Sequence, residues 1–279
     1  MLRADRLRRQ RRRGRGRARH PGRPEGRPAQ HPRHARPVAV AVRAASAAPT
    51  LPPGPDGAVP VFSHGRRDGG KRVALTFDAD MTSDQGPRAA RGEHFDNPAL
   101  IETLRRLKVP ATVFMTGRWA EQYPGQAKSI GGDPSSRSPA TPTATTPSPR
   151  PATACRPCRA PRPAPTWSAP SPPSGGRGGA HRAVLPLPGG CHDDGVLKEL
   201  GPAKVTAVQW DVVSGDAFAK DAGPVASQVI SQVRPGSVVV MHCTRSAAPT
   251  TEEAVRRIVP ELRAKGYEFV RVSDLVAGH

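Results

Sequence analysis

The chain has 279 residues and a formal charge of +20, which on its own suggests a polyanion-binding protein. The distribution removes that reading from the body of the chain. Residues 1–50 hold 15 Arg against Asp5 and Glu25, residues 134–192 hold 7 Arg and no acid, and the remainder balances at 21 basic and 21 acidic side chains. Proline (34) and glycine (28) are abundant but follow no Gly-X-Y period, and no apolar run approaches the ~18 residues of a membrane span. A collagen-like and a membrane-spanning chain are thereby excluded, leaving about 165 to 175 residues of ordinary character for one core.

Residues 1–60 are Arg, Pro, Gly and Ala without hydrophobic period and are expected to be disordered. Their apolar stretch, Pro37 to Val42, is cut by Arg43 and is too short for a convincing signal peptide. Order is expected from Val61 onward. Lys71 to Phe77 has the β-branched and apolar character of a buried strand. Asn97-Pro98 supplies a cap and a first-turn proline for a helix carrying Leu100, Ile101, Leu104 and Leu107. Pro110 to Gly117 follows as a strand, and Trp119 to Ile130 as a helix interrupted at Pro124. After the middle of the chain, a strand is predicted over Ala203 to Trp210, a helix over Val225 to Val233 and an apolar strand over Ser237 to Cys243. Thr250-Thr-Glu-Glu253 has capping-box spacing ahead of a helix bearing Val255, Ile258, Val259 and Leu262, and Tyr267 to Val272 closes as a strand. Such alternation predicts an α/β domain over 61–279 with a mostly parallel sheet or barrel.

Three clusters could carry chemistry. Asp78 and Asp80 end the first strand two residues apart, so in extended chain they share a side while Ala79 points away; they are either a cation-binding and proton-accepting pair or two solvated loop acids. Asp211 and His242 each follow an apolar strand, where parallel folds place their sites, although a lone His there can equally be a satisfied core residue. Pro188-Gly-Gly-Cys-His192-Asp193-Asp194 either binds metal or is a tight turn into a helix with an acidic first turn. Cys155-x-x-Cys158 lacks a second ligand pair, and with Cys191 and Cys243 it leaves the redox compartment open.

In order along the chain, Val73-Ala-Leu-Thr-Phe-Asp-Ala-Asp-Met-Thr82, Pro110-Ala-Thr-Val-Phe114, Pro188-Gly-Gly190, Trp210-Asp-Val-Val-Ser-Gly-Asp216 and Val239-Val-Met-His242 resemble the polysaccharide deacetylases of the NodB-homology type (carbohydrate esterase family 4). The resemblance covers about 60–132 and 188–275. It implies a distorted (β/α) barrel, hydrolysis of N-acetyl groups on an amino-sugar polymer such as peptidoglycan or chitin, a divalent metal, most often Zn, and an extracellular or cell-envelope location. It further implies Asp78 as catalytic base, His242 as catalytic acid and Asp211 as the carboxylate tuning that His. Ala79 stands where the family has its metal-binding aspartate, and Asp80 is the substitute. The family's His-x-x-x-His metal motif and the Arg before its Pro-Gly-Gly turn are absent, Leu185-Pro-Leu-Pro188 occupying the latter stretch.

Both missing pieces fall in or beside 134–187, a Pro-, Ser-, Thr- and Arg-dense stretch too long for a structureless loop in a compact domain. Codons compatible with Ala140 to Thr146 encode His-Ser-Tyr-Gly-His-His when read from their third nucleotide. Codons for Val184 to Pro188 encode Tyr-Phe-Arg-Phe when read from the second. The stretch is therefore expected to be a frameshifted segment of a deacetylase gene, and the chain is expected to bind metal weakly, fold poorly and show impaired activity. Two other functions compete: a non-enzymatic basic protein holding nucleic acid or an anionic polymer through its Arg segments, disfavoured because the ordered parts are neutral, and a catalytically dead carbohydrate-binding relative. The expected partner is an acetylated amino-sugar polymer, with no nucleic acid, no membrane span and a monomer by default.

Overall fold

The computed structural model describes residues 50–54, 56–82, 84–133 and 184–279. The expected disorder before residue 50, the displaced frame up to residue 183, and Cys155 and Cys158 lie outside the described residues.

In chain order the elements are β1 (Val61–Phe62), β2 (Arg72–Ala79), α1 (Gln85–Ala90), α2 (Pro98–Arg106), β3 (Thr112–Met115), α3 (Gly117–Gln122), α4 (Pro124–Gly131), β4 (Val184–Pro186), α5 (Asp194–Glu199), β5 (Thr206–Val208), β6 (Val212–Val213), α6 (Ala222–Gln232), β7 (Ser237–His242), α7 (Thr251–Ala264), β8 (Glu268–Val270) and α8 (Val272–Val276). The larger sheet runs β3-β2-β7-β6, with β8 also on β2; the smaller runs β1-β5-β4. Every ladder between named strands is parallel. Strand β2 is shared along one edge, β8 pairing with Arg72 to Ala74 and β3 with Thr76 to Ala79. The α/β class with parallel strands is as expected, and the described strands are hydrogen-bonded as two sheets.

The sequence explains the helix ends. Asn97 caps α2 by accepting from the Leu100 amide at 3.1 Å, and Pro98 fills the first turn, where a missing N–H costs nothing. Pro124 does the same for α4, and the interruption expected there separates α3 from α4. Strands β5 and β8 are shorter than predicted because tight turns at Gly201–Ala203 and at Arg271 consume their ends.

Helices α2, α6 and α7 cover the larger sheet. Leu100, Leu104, Val229, Val255, Ile258, Val259 and Leu262 pack against Val73, Leu75, Phe77, Val239 and Met241 in one buried cluster. Trp119, fully buried, donates its indole N–H to the Phe95 carbonyl at 2.6 Å, so its polar atom is satisfied inside that core. Ile258 is fully buried at the centre of the α7 stripe, and Ile258→Ala is expected to lower unfolding free energy by about 2–5 kcal/mol in a denaturant titration.

The predicted capping box at α7 does not form. Thr250 occupies the N-cap, but its side chain caps nothing and its buried hydroxyl has no hydrogen-bond partner. Glu253 instead pairs with Arg257 one turn on. Since an unsatisfied buried hydroxyl is a cost and not a gain, Thr250→Ala is expected to shift stability by less than about 0.5 kcal/mol or to raise it, where an ordinary cap loss would cost about 1 kcal/mol. A thermal melt separates the two.

Candidate active site

Parallel register brings the two principal candidates together. Asp78, one residue from the end of β2, is the direct partner of His242, the last residue of β7. The first amide after β7, that of Cys243, donates to the Asp78 carbonyl at 2.8 Å and locks this register. Asp78 is half-buried, Ala79 is fully buried and Asp80, just past the strand, is exposed. The alternation expected from extended chain is thus present, with the two carboxylates on the accessible side.

His242 is held by a carboxylate that the sequence reading passed over. Asp216, 1% exposed, accepts from His242 Nδ1 at 2.8 Å and from the His242 backbone amide at 2.8 Å. It also accepts from the hydroxyls of Thr251 at 2.6 Å and Ser214 at 2.9 Å. Burial by itself would raise the Asp216 pKa, but these donors and the imidazolium outweigh it and hold the carboxyl below its ordinary value. In the other direction, burial would lower the His242 pKa; the Asp216 bond and charge, with Asp78 and Asp80, push it up to about 9. Asp78 is pushed up to about 7, first by burial, then by the charges of Asp80 and Asp216, with His242 opposing. At neutral pH the site therefore holds an imidazolium beside a carboxyl group poised between its two protonation states.

The role implied for Asp211 is corrected. Its carboxylate accepts from Arg67 Nη2, the Ser237 hydroxyl and the Val238 amide, each at 2.8 Å. Val238 lies four residues before His242, about 13 Å away along a strand, so Asp211 staples the start of β7 and cannot tune the imidazole at its end. Strand β6 pairs Val212 with Val239 and Val213 with Val240, so the acid preceding β6 meets the beginning of β7 and the acid three residues beyond β6 meets its end. The available signal was Ser214-x-Asp216, an acid with its own hydroxyl donor, inside a stretch already singled out.

The Pro-Gly-Gly cluster resolves as a turn. Asp193 caps α5 by accepting from the Val196 amide at 2.8 Å, and the Gln209 side-chain amide donates to the Gly190 carbonyl. Gly190 has φ +70°, and a Cβ there would lie 2.8 Å from the Trp210 ring, so glycine is required by both backbone and space. Among the described residues, the hydrogen-bond partner of His192 is Gln209, at 3.4 Å. Cys243 is fully buried and its thiol is pushed up to about 12 by that burial, which makes it inert.

Among the described residues no three His, Cys, Asp or Glu side chains converge as a metal cage. Asp80 stands beside Asp78 without an imidazole ligand, and a catalytic zinc site needs three protein ligands. The described residues do not fit that group.

Residues 65–135 match the family model of polysaccharide deacetylase. A peptidoglycan-N-acetylglucosamine deacetylase of Bacillus cereus is 30% identical over 91 residues, 32% of this chain and 43% of that protein. The peptidoglycan-N-acetylglucosamine deacetylase PgdA of Listeria monocytogenes is 27% identical over 225 residues, 74% of this chain and 39% of that protein. The chain thus spans less than half the length of these relatives. Among solved structures, the Bc1960 peptidoglycan N-acetylglucosamine deacetylase superposes with a TM-score of 0.55 at 20% identity, covering 77% of this chain and 92% of that one. BA3943, a CE4 family pseudoenzyme from Bacillus anthracis, gives 0.55 at 20% identity, covering 82% and 70%. Residues 65–135 are thus similar to a polysaccharide deacetylase domain. The match to the polysaccharide deacetylase model covers the part of the chain that carries Asp78 and Asp80, and the solved structures share the fold.

Proposed function

We propose that this protein hydrolyses N-acetyl groups of an amino-sugar polymer, peptidoglycan or a chitin-like glycan, at the cell envelope, with Asp78 as base and His242 as acid, and that the chain does so weakly. The observation that supports the reading is the pairing of Asp78 with His242 at the carboxyl end of adjacent parallel strands, with the imidazole charged through Asp216. Asp78 takes a proton from water as the water oxygen bonds to the acetyl carbon. The C–N bond then breaks, and His242 gives its proton to the departing amine, leaving acetate and a free amino sugar. Asp216 stays ionised throughout and keeps the imidazole ring oriented.

The weakness follows from the donor set. The resemblance points to a divalent ion, and among the described residues Asp80, just past β2, is the candidate ligand, the expected His-x-x-x-His motif being absent from the sequence. We attribute that loss to a displaced reading frame over 134–187. Reading the gene across the codons for 131–190 tests this: three additional nucleotides restoring His-x-x-x-His and Arg-Phe-Pro-Gly-Gly are expected, and an unchanged sequence refutes it.

Function is tested by acetate release from an N-acetylglucosamine oligomer and from peptidoglycan, comparing the full chain with Asp78→Asn. Slow release that disappears in the variant supports the reading; equal release by both overturns it. A second reading, a glycan-binding relative without catalysis, is favoured by the incomplete donor set. It predicts glycan binding with no acetate released by either protein.

A further inference from the structure

We propose that Thr251, the first residue of α7, is a positioning residue for His242. Through Asp216 it fixes the imidazole so that Nε2 is the nitrogen left to protonate the departing amine, an inference that rests on the hydrolase reading above. Asp216 reaches the ring from the loop between β6, which ends at Val213, and α6, which begins at Ala222. A carboxylate on a loop orients its partner only as well as it is itself held.

Four donors hold it, two on each oxygen. Oδ1 accepts from His242 Nδ1 at 2.8 Å and from the Ser214 hydroxyl, on the same loop, at 2.9 Å. Oδ2 accepts from the His242 backbone amide at 2.8 Å and from the Thr251 hydroxyl at 2.6 Å. Thr251 is thus the donor that ties the carboxylate to an element other than β7 and its own loop. Without it, Oδ2 is held by one backbone amide, and the plane of the carboxylate is free to turn away from Nδ1.

Thr251 is itself fixed. It is fully buried at the start of a 14-residue helix whose apolar stripe packs into the larger core cluster. Its hydroxyl has one proton and two acceptors in reach, Asp216 at 2.6 Å and the Ala248 carbonyl at 3.1 Å. The shorter, charged contact takes the proton. That bond is among those holding the Asp216 carboxyl below its ordinary value, and the N-terminal end of α7 favours the same anion. The adjacent residue supplies a matched contrast, because the buried hydroxyl of Thr250 has no hydrogen-bond partner.

The test uses the full chain and a soluble β-1,4-linked N-acetylglucosamine tetramer, reading acetate release, melting temperature and the proton resonance of His242 Nδ1. Thr251→Val keeps the shape and removes the donor; kcat is expected to fall about tenfold with KM within about twofold, and the Nδ1 resonance to be displaced. Thr251→Ser keeps the hydroxyl and should release acetate within about threefold of the parent. Thr250→Ala removes the neighbouring hydroxyl and should change neither release nor resonance. If the valine variant does not fold, Thr251→Cys, similar in size with a weak donor, takes its place and should fall below Thr251→Ser. Parental kcat in the variant that lacks the hydroxyl overturns the positioning role and leaves the hydrolase reading standing. So does a loss that Thr251→Ser shares in full, since that marks packing and not the hydrogen bond. No release by the parent overturns the hydrolase reading itself, and the positioning role with it.

Discussion

Asp216→Ala is expected to destabilise the protein by about 3 kcal/mol or more, the largest loss anticipated from a single substitution outside the apolar core. The carboxylate is 1% exposed and accepts from two side-chain hydroxyls, an imidazolium and a backbone amide. Removing it leaves a buried hydroxyl on Thr251 with one remaining acceptor, the Ala248 carbonyl at 3.1 Å, and leaves the His242 amide unpaired. Denaturant unfolding measures the loss. Asp216→Asn keeps the size and one acceptor oxygen and should fall between, whereas a loss below about 1 kcal/mol for the alanine variant would show that the network contributes little.

The second large effect is catalytic. On the proposed role of His242 as acid, His242→Ala is expected to lower acetate release by about 100-fold or more, because general acid catalysis of amine departure contributes on that scale. The same residue sets a pH dependence of stability. Its folded pKa of about 9 lies above the ordinary 6.5, so its contribution is fully present below 6.5 and is lost as pH rises through 9. The side chain is 31% exposed, and with allowance for solvent screening the span is about 2 kcal/mol. Thermal midpoints between pH 6.5 and 9.5 should fall for the parent and fall less steeply for His242→Gln, in which the raised carboxyl of Asp78 still titrates.

Much of this architecture is legible from residues alone because it depends on local chemistry. The Asn97-Pro98 start of α2, the buried stripe of α7 and the apolar run of β7 each follow from one segment's own pattern. Asp78 and His242 are legible for a related reason: each ends a strand, and parallel strands deliver their ends to one place. The choice between Asp211 and Asp216 depends on something no segment contains, the register of β6 against β7, and an offset of five residues moves a carboxylate from one end of a strand to the other. The idle Thr250 and the engaged Thr251 make the same point. Both hydroxyls suit a cap, and Asp216, 35 residues away in sequence, decides which one is used.

Acetate release with and without added zinc, measured beside a zinc-loaded polysaccharide deacetylase, tests the central claim most directly. A retained base and acid without a complete metal donor set predicts release that depends on Asp78 and His242, ignores added zinc and runs about 100-fold or more below the reference enzyme. Fast, zinc-stimulated release by this 279-residue chain would contradict the account.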